Sequence, residues 1–310
     1  MAYRIAALYQ FTRFDDPSGV RAHLLDALGS LELCGTLLVA KEGINGTIAS
    51  SEPSVEAAIA TLRALPGCAE MDVKYATAET APYRWFKVKL KREIVTMGVP
   101  EADPCTCVGA YVAPEDWNDL ISDPGTVVVD TRNDYEVGLG SFEGAINPET
   151  LSFRDFPTWF KARFSDAPPQ RVALFCTGGI RCEKATSFVK QLGIEDVFHL
   201  EGGILRYLET VPEAESLWRG ECFVFDERVA VGHGLAPGTA ILCRACKYPV
   251  RADEVSLPGY EAGISCARCV DQTTDAQKAR FRERQRQLAL ARRRAQQSRG
   301  TGGEGHADHR

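Results

Sequence analysis

Residues 175–183 read FCTGGIRCE, and this stretch decides the fold of the central part of the chain. The apolar run over 172–175 predicts a buried β-strand, and residues 183–192 have helical spacing. Cys176 is therefore expected at the carboxyl end of a strand, where open α/β sheets bind their ligands. The pattern predicts a reactive cysteine, and the alternative interpretation is a buried strand-end cysteine followed by a glycine turn.

The loop after Cys176 has the features that ionise a thiol. A free cysteine has a pKa of about 8.5 and is mostly protonated at neutral pH. Gly178 and Gly179 allow backbone N–H groups to turn towards the sulfur, and Arg181 adds a permanent positive charge. The next helix also presents the positive end of its dipole, so we expect a lowered pKa. Cys182, in the first helical turn, is either a thiol that resolves oxidised Cys176 as a disulfide or a packing residue.

Strand-like and helix-like segments alternate on both sides of this loop. The predicted strands are 127–130, 145–147, 172–176 and 197–200, and the predicted helices are 114–122, 153–164, 183–192 and 203–209. Alternation of this kind predicts a doubly wound parallel sheet that helices cover on both faces.

Four stretches resemble the rhodanese superfamily, and they fall within residues 111–210. They are 175–185, 128–136, 144–148 and 200–203. The resemblance implies that Cys176 accepts a sulfane sulfur and becomes a persulfide. Phosphatase relatives have a longer loop, whereas four residues separate Cys176 from Arg181, which favours persulfide chemistry over phosphate-ester hydrolysis. We expect Asp130 and Arg132 to give structural support as a buried charge pair at a strand end.

The N-terminal third has the element order βαββαβ, which predicts a ferredoxin-like domain. The predicted strands are 4–14, 35–40, 46–49 and 72–76, and the predicted helices are 20–33 and 55–65. The Asn45-Gly46 pair favours a hairpin turn between the second and third strands. A further strand is predicted over 84–96, with Lys87, Lys89 and Lys91 on one face. This lysine face is either only solvated or also contacts phosphates.

Length, charge and termini suggest how the 310 residues are organised. The net charge is −6, yet residues 271–310 contain ten Lys and Arg against five Asp and Glu. No signal peptide and no apolar run of membrane-spanning length is visible, so we expect a cytoplasmic protein without a membrane partner.

The predicted segments are a ferredoxin-like domain (1–100), a linker (101–110), a rhodanese domain (111–215), a small Cys-rich C-terminal lobe (216–272) and a basic helical or disordered tail (273–310).

Four of the eleven cysteines form two short pairs, Cys243-x-x-Cys246 and Cys266-x-x-Cys269. This spacing suits a structural zinc ion in which each pair provides one knuckle. Two alternatives stay open, namely reduced thiols within a small lobe and redox pairs.

Two N-terminal stretches, KEGINGT (41–47) and RWFKVKLKREIV (84–95), resemble the bacterial tRNA uridine hydroxylase family. The resemblance implies oxygen-dependent formation of 5-hydroxyuridine at the wobble position (U34) of tRNA, with O₂ as co-substrate and a persulfide at Cys176. It implies tRNA as the partner, and a sulfur donor that is a protein or a small molecule. The candidate RNA-contacting residues are Lys41, Arg84, Lys87, Lys89 and Lys91. No flavin or dinucleotide fingerprint is visible, and nothing in the sequence identifies the electron donor.

Two other functions compete with this hypothesis. One is a sulfurtransferase that moves sulfur between small molecules or persulfide carriers without an RNA substrate. The other is a non-catalytic RNA-binding or scaffold protein, which intact Cys176, Gly178 and Arg181 disfavour.

Overall fold

The computed structural model describes residues 2–226 and 228–300. The chain forms two compact units, Met1–Pro237 and Gly238–Arg310. Among the described helices, none combines the length and the apolar character that a bilayer span requires.

The first part of unit one is a five-stranded sheet with two helices on one face. Its elements are β1 (Tyr3–Phe11), α1 (Pro17–Leu28), β2 (Cys34–Ala40), β3 (Gly43–Ser50), α2 (Glu52–Arg63), β4 (Asp72–Ala78) and β5 (Phe86–Leu90). The strand order is β4-β1-β3-β2-β5, and β1 pairs antiparallel with both β3 and β4. The predicted ferredoxin-like fold is therefore confirmed, and β5 extends it parallel to β2.

Residue alternation separates the two faces of this sheet. Leu8, Ile44 and Ile48 pack with Leu24 and Ile59 of the helices in one buried core. Their sequence neighbours face the other side, which no helix of the N-terminal domain covers. This second face, which we call the open sheet face, carries Ile5, Ala7, Tyr9, Asn45, Thr47, Asp72, Lys74 and Ala76.

Two details of this domain differ from the sequence-based expectation. The strand predicted over 84–96 ends at Leu90, because its parallel partner β2 ends at Ala40. The hairpin turn is Lys41-Glu42 rather than Asn45-Gly46, since Ala40 pairs directly with Gly43. Gly43 has φ +135°, and a Cβ there would lie 2.0 Å from a backbone oxygen, so glycine is required at the start of β3.

The second part of unit one is a four-stranded parallel sheet. Its main elements are β6 (Ala110–Val112), α3 (Pro114–Ser122), β7 (Thr126–Asp130), α4 (Asp134–Val137), β8 (Gly140–Phe142), α5 (Phe156–Phe164), β9 (Arg171–Phe175), α6 (Ile180–Gln191), β10 (Asp196–Leu200) and α7 (Gly203–Thr210). The sheet order is β6-β10-β9-β7, with all pairs parallel. Apolar side chains of α5 and α6 cover one face and those of α3 and α7 the other. The predicted rhodanese-type sheet is confirmed.

The strand predicted over 145–147 is only an isolated bridge between Val129 and Ile146. The neighbouring strand is β8 instead, and it pairs antiparallel with β11 (Trp218–Gly220). Because β8 requires this partner, the chain after 215 stays within unit one. Two further short strands there, β12 (Cys222–Phe223) and β13 (Ala230–Val231), pair with each other.

The second compact unit thus begins at Gly238, rather than at residue 216. It contains a small antiparallel pair, β14 (Ile241–Leu242) and β15 (Pro249–Val250), and the helix α8 (Asp275–Gly300). Arg282 of α8 makes two hydrogen bonds to the carboxylate of Glu261, at 2.8 and 2.6 Å. The basic tail is helical as far as Gly300, and the disorder predicted for its end concerns 301–310, which lie outside the described residues.

Candidate active site

Cys176 directly follows β9, and α6 begins four residues later at Ile180. Its side chain is fully buried, and the backbone N–H of Gly179 donates to Sγ at 3.1 Å. Gly179 adopts φ +99°, and a Cβ there would lie 2.9 Å from the Tyr9 hydroxyl. The loop therefore requires glycine both for its backbone conformation and for the close approach of Tyr9.

The surroundings of Cys176 favour its ionised form. Burial works against ionisation, but a hydrogen bond from the Cys182 thiol, the charge of Arg181 and backbone N–H groups of both residues lower the pKa of Cys176 to about 5. Burial and the neighbouring thiolate raise the pKa of Cys182 well above its usual range. At neutral pH, Cys176 is therefore a thiolate and Cys182 a protonated donor.

Arg181 is anchored by a carboxylate, Glu136, that no sequence motif indicates as a site residue. Its guanidinium makes two hydrogen bonds to Glu136, at 2.7 and 2.8 Å, and both side chains are buried. Burial opposes the charge of Glu136, yet Arg181 keeps the pKa of this carboxyl low. Thr177 completes the cluster with hydrogen bonds of 3.3 Å to both groups. Arg181 therefore acts on Cys176 at a fixed position, as one half of a buried ion pair.

Asp130 and Arg132 form a second buried ion pair, which does not line the active-site cavity. The Arg132 Nη2–Asp130 Oδ2 distance is 2.6 Å, and both side chains are fully buried. Arg132 also donates to the carbonyl of Gly140 at 2.6 Å, and the Ser141 hydroxyl donates to Asp130 at 2.9 Å. These bonds connect the end of β7 to β8.

A cavity of about 720 Å³ lies between the open sheet face and the Cys176 loop. Cys176, Thr177, Gly178 and Arg181 contribute the loop side, and Tyr9 lies among the residues opposite. Three further lining residues, Phe225, Asp226 and Arg228, come from the segment after β12. The volume is in the range of small-molecule sites and is sufficient for a nucleotide.

Polar contacts connect the N-terminal domain to the loop and α6. Lys74 donates to the Gly178 carbonyl at 3.1 Å, and the Tyr9 hydroxyl donates to Glu183 at 3.3 Å. Lys184, which is buried, lies 2.9 Å from a carboxylate oxygen of Glu42 and 2.5 Å from one of Glu93. The cavity is thus built jointly by the two domains of unit one.

Glu183 is the second buried acid near this cavity. Tyr111 donates to both of its oxygens, at 3.0 and 2.8 Å. Burial raises the pKa of Glu183, although the hydrogen bonds from Tyr111 and Tyr9 act in the opposite direction. The sequence does not reveal Tyr9, Lys74 and Glu183 as site residues, because their proximity depends on long-range contacts.

The predicted RNA-contacting residues are exposed, and none of them lines the cavity. They are Lys41, Arg84, Lys87, Lys89 and Lys91. Lys87 pairs with Thr36 and Lys89 with Leu38 across β5 and β2. Other basic residues line the cavity instead, namely Lys74, Arg181, Arg206 and Arg228, and the Arg228 guanidinium binds Asp226 at 2.7 Å.

Unit two brings together the four cysteines predicted to bind zinc, Cys243, Cys246, Cys266 and Cys269. Their sulfur atoms all lie within 4.8 Å of one another. The Cys243–Cys269 distance is 3.9 Å, and Cys266 lies 3.7 Å from both Cys246 and Cys269. A tetrahedral zinc ion with Zn–S bonds of about 2.3 Å requires sulfurs about 3.8 Å apart. The donor set therefore fits a closed zinc site.

Comparisons with known proteins agree with this architecture. Residues 3–94 match the family described as UPF0176 acylphosphatase like domain, and residues 113–210 match the Rhodanese-like domain. Fold and site together define a rhodanese-domain protein with an acylphosphatase-like domain before it.

The full-length relatives are more specific. A protein of Mesorhizobium japonicum is 56% identical over 91% of both chains, and one of Jannaschia sp. is 55% identical over 97% of this chain and 99% of its own. A third, of Deinococcus radiodurans, is 55% identical over 91% of this chain and 93% of its own. All three are named tRNA uridine(34) hydroxylase. The chain belongs to this family.

Proposed function

We propose that this protein is an enzyme that hydroxylates the wobble uridine of tRNA to 5-hydroxyuridine in the cytoplasm, with the target base bound in the cavity beside Cys176. The observation that carries the proposal is the thiolate environment of Cys176 at a cavity of about 720 Å³. The names of the relatives supply the substrate. Oxygen is the co-substrate, so one oxygen atom enters the new C5–OH group and the other leaves as water, with two electrons and two protons from an external donor.

In this proposal Cys176 carries a persulfide. Its thiolate attacks the sulfane sulfur of a donor persulfide, so that an S–S bond forms on Cys176 while the donor's S–S bond breaks and the donor leaves as a thiolate. Cys176 lines the cavity, so a donor has to approach from that side, and because the residue is otherwise buried the added outer sulfur would be the group presented to the cavity. An added sulfur extends the side chain by about 2.05 Å towards the cavity. Gly178 and Gly179 provide the anion-binding loop, and Arg181 supplies the fixed charge.

Three other residues have supporting roles in the proposal. Cys182 stabilises the thiolate by donating its S–H, and it can also resolve oxidised Cys176 as a disulfide with release of the bound sulfur. Asp130 and Arg132 support the strand end beneath the loop through their 2.6 Å ion pair.

We further propose that tRNA approaches along the open sheet face and the strand β5 beside it. Lys87 and Lys89 pair with Thr36 and Leu38, so all four side chains point to this face. Lys41, Arg84 and Lys91 are exposed as well. Lysine and arginine contacts to phosphates supply much of the affinity of such interfaces.

Cys243, Cys246, Cys266 and Cys269 would hold a structural zinc ion with all four thiolates. The ion would reinforce the small cluster of this unit in which, among the described residues, Val250 is buried together with three of the cysteines. Basic α8, which is anchored to the same unit through Arg282 and Glu261, would then be an arm for RNA.

The direct test is mass spectrometry of tRNA nucleosides from cells that lack the protein and are complemented with variants. We expect 5-hydroxyuridine and its derivatives to disappear on deletion, to return with the wild type and not to return with Cys176→Ser. Cys107→Ser is the matched control and should restore them, since Cys107 does not line the cavity. Unchanged nucleosides on deletion would leave the sulfurtransferase alternative, which transfer of sulfur from thiosulfate to cyanide would then support.

A further inference from the structure

A second concavity, of about 330 Å³, adjoins the Cys176 cavity. Its lining residues are Thr36, Leu38, Asn45, Gly46, Thr47, Tyr83 and Phe225. The last five of these also line the Cys176 cavity, so the two spaces are continuous. A polynucleotide whose target base entered the first space would have a neighbouring nucleotide close to the second.

Phe225 stands between the two spaces, and it is 63% exposed. The Phe223 ring packs edge-on against it from one side, with centroids 5.0 Å apart. Phe223 in turn packs against Tyr135, at 5.3 Å. The exposed ring is therefore supported from below by two aromatic residues. Exposed aromatic rings are the surfaces on which single-stranded bases stack.

The charge around this concavity matches a nucleic-acid backbone. Lys87 and Lys89 are exposed and lie next to the lining residues Thr36 and Leu38 in the β5–β2 pairing. The polar groups of Thr36, Asn45 and Thr47 offer hydrogen bonds to a base edge or a sugar. A peptide would instead need unpaired backbone groups on the protein or an acidic segment of its own. The positive charge of Lys87 and Lys89 is complementary to a phosphate and therefore favours a nucleotide.

We propose that this second concavity, the flanking subsite, binds one nucleotide adjacent to the target uridine, with its base stacked on Phe225 and its phosphate near Lys87 and Lys89. The subsite rests on the proposed function, since it assumes that the target base enters the Cys176 cavity. In this proposal, Phe225 recognises the anticodon loop together with the basic residues.

The test is a double-mutant cycle between protein and RNA, measured as binding of anticodon stem-loop RNA to the full-length protein. The protein variants are Phe225→Leu, which removes the aromatic ring at similar volume, and Phe225→Trp, which keeps an aromatic face. The RNA variants lack the base on the 5′ side or on the 3′ side of the target uridine. Leu151→Ala is the control for an exposed apolar side chain, since Leu151 is 74% exposed and lines neither concavity.

We expect Phe225→Leu to raise the Kd about tenfold, which corresponds to about 1.4 kcal/mol. Phe225→Trp and Leu151→Ala should stay within about twofold of the wild type. Loss of the base on one side should raise the Kd of the wild type about as much, and it should add nothing further in Phe225→Leu.

Two results would overturn the subsite while leaving the proposed function intact. One is an unchanged Kd for Phe225→Leu with RNA that the wild type binds and hydroxylates. The other is additive loss for the leucine variant and each base deletion, which would show that Phe225 contacts neither neighbouring base. If the wild type bound no anticodon stem-loop RNA and left its uridine unmodified, the proposed function would fail together with the subsite.

Discussion

The protein contains two sulfur sites, and they differ in what compensates the negative charge. At Cys176 one thiolate lies among backbone N–H groups, a neighbouring S–H donor and the charge of Arg181. In unit two, four sulfurs lie within 4.8 Å of one another. Four thiolates at such distances repel one another unless a cation lies between them. Cysteine therefore has a reactive role where the protein itself provides the compensating positive charge. It has a structural role where a metal ion must provide that charge.

The largest expected effect concerns the metal-dependent site. Cys243→Ala should reduce bound zinc from one ion per chain to none, and remove amide-exchange protection from residues 238–274. Structural zinc contributes on the order of 10 kcal/mol in small domains. Metal analysis measures the bound zinc, and hydrogen exchange measures the amide protection. Cys107→Ser is the control and should keep its metal. Equal protection with and without zinc would show that the four cysteines are only packed thiols.

The next effect concerns the fixed charge near Cys176. Glu136→Gln leaves the buried Arg181 guanidinium without its anionic partner, and we expect a loss of about 3–5 kcal/mol in the free energy of unfolding. Glu143→Gln provides a matched control, because its ion pair with Arg219 is 3.0 Å long and both side chains are more than half exposed. That control should lose less than about 1 kcal/mol in urea denaturation. Similar losses for both variants would mean that the buried pair does not support the loop.

The smallest effect concerns the neighbouring thiol. Cys182→Ala removes a donor to the Cys176 thiolate, so the pKa of Cys176 should rise by about 1 to 2. Cys182→Ser keeps a hydroxyl donor and should stay closer to the wild type. Thiolate absorbance as a function of pH measures the change. If alanine and serine give the same pKa as the wild type, the loop backbone and Arg181 alone account for the ionisation.

The elements whose structure depends on local sequence patterns could be predicted from the sequence. The apolar run before Cys176 and the glycines after it predicted the strand, the loop and the helix, and the βαββαβ order predicted the N-terminal fold. The end of β5 could not be predicted from its own alternation, since it depends on where its partner β2 stops. The extent of unit one similarly depends on the pairing of β8 with β11.

From the sequence, only the part of the candidate site that the Cys176 loop forms could be predicted. Tyr9 is 174 residues from Glu183 in sequence, and Lys74 is 104 residues from Gly178. No local periodicity encodes such pairs, because the approach of two domains creates them. Glu136 was within a stretch quoted for its resemblance, but its bond to Arg181 spans 45 residues and became visible only in three dimensions.

The central claim is that the fold itself ionises Cys176, and a pH titration of thiolate absorbance at 240 nm tests it most directly. The signal of Cys176→Ser is subtracted from that of the wild type, so that the absorbance of the cysteines distant from Cys176 cancels. Because the folded-state pKa is lowered to about 5, the difference signal should be complete by pH 7 and fall to half near pH 5. A difference signal that develops only around pH 8 to 9, as for a free thiol in water, would contradict the account.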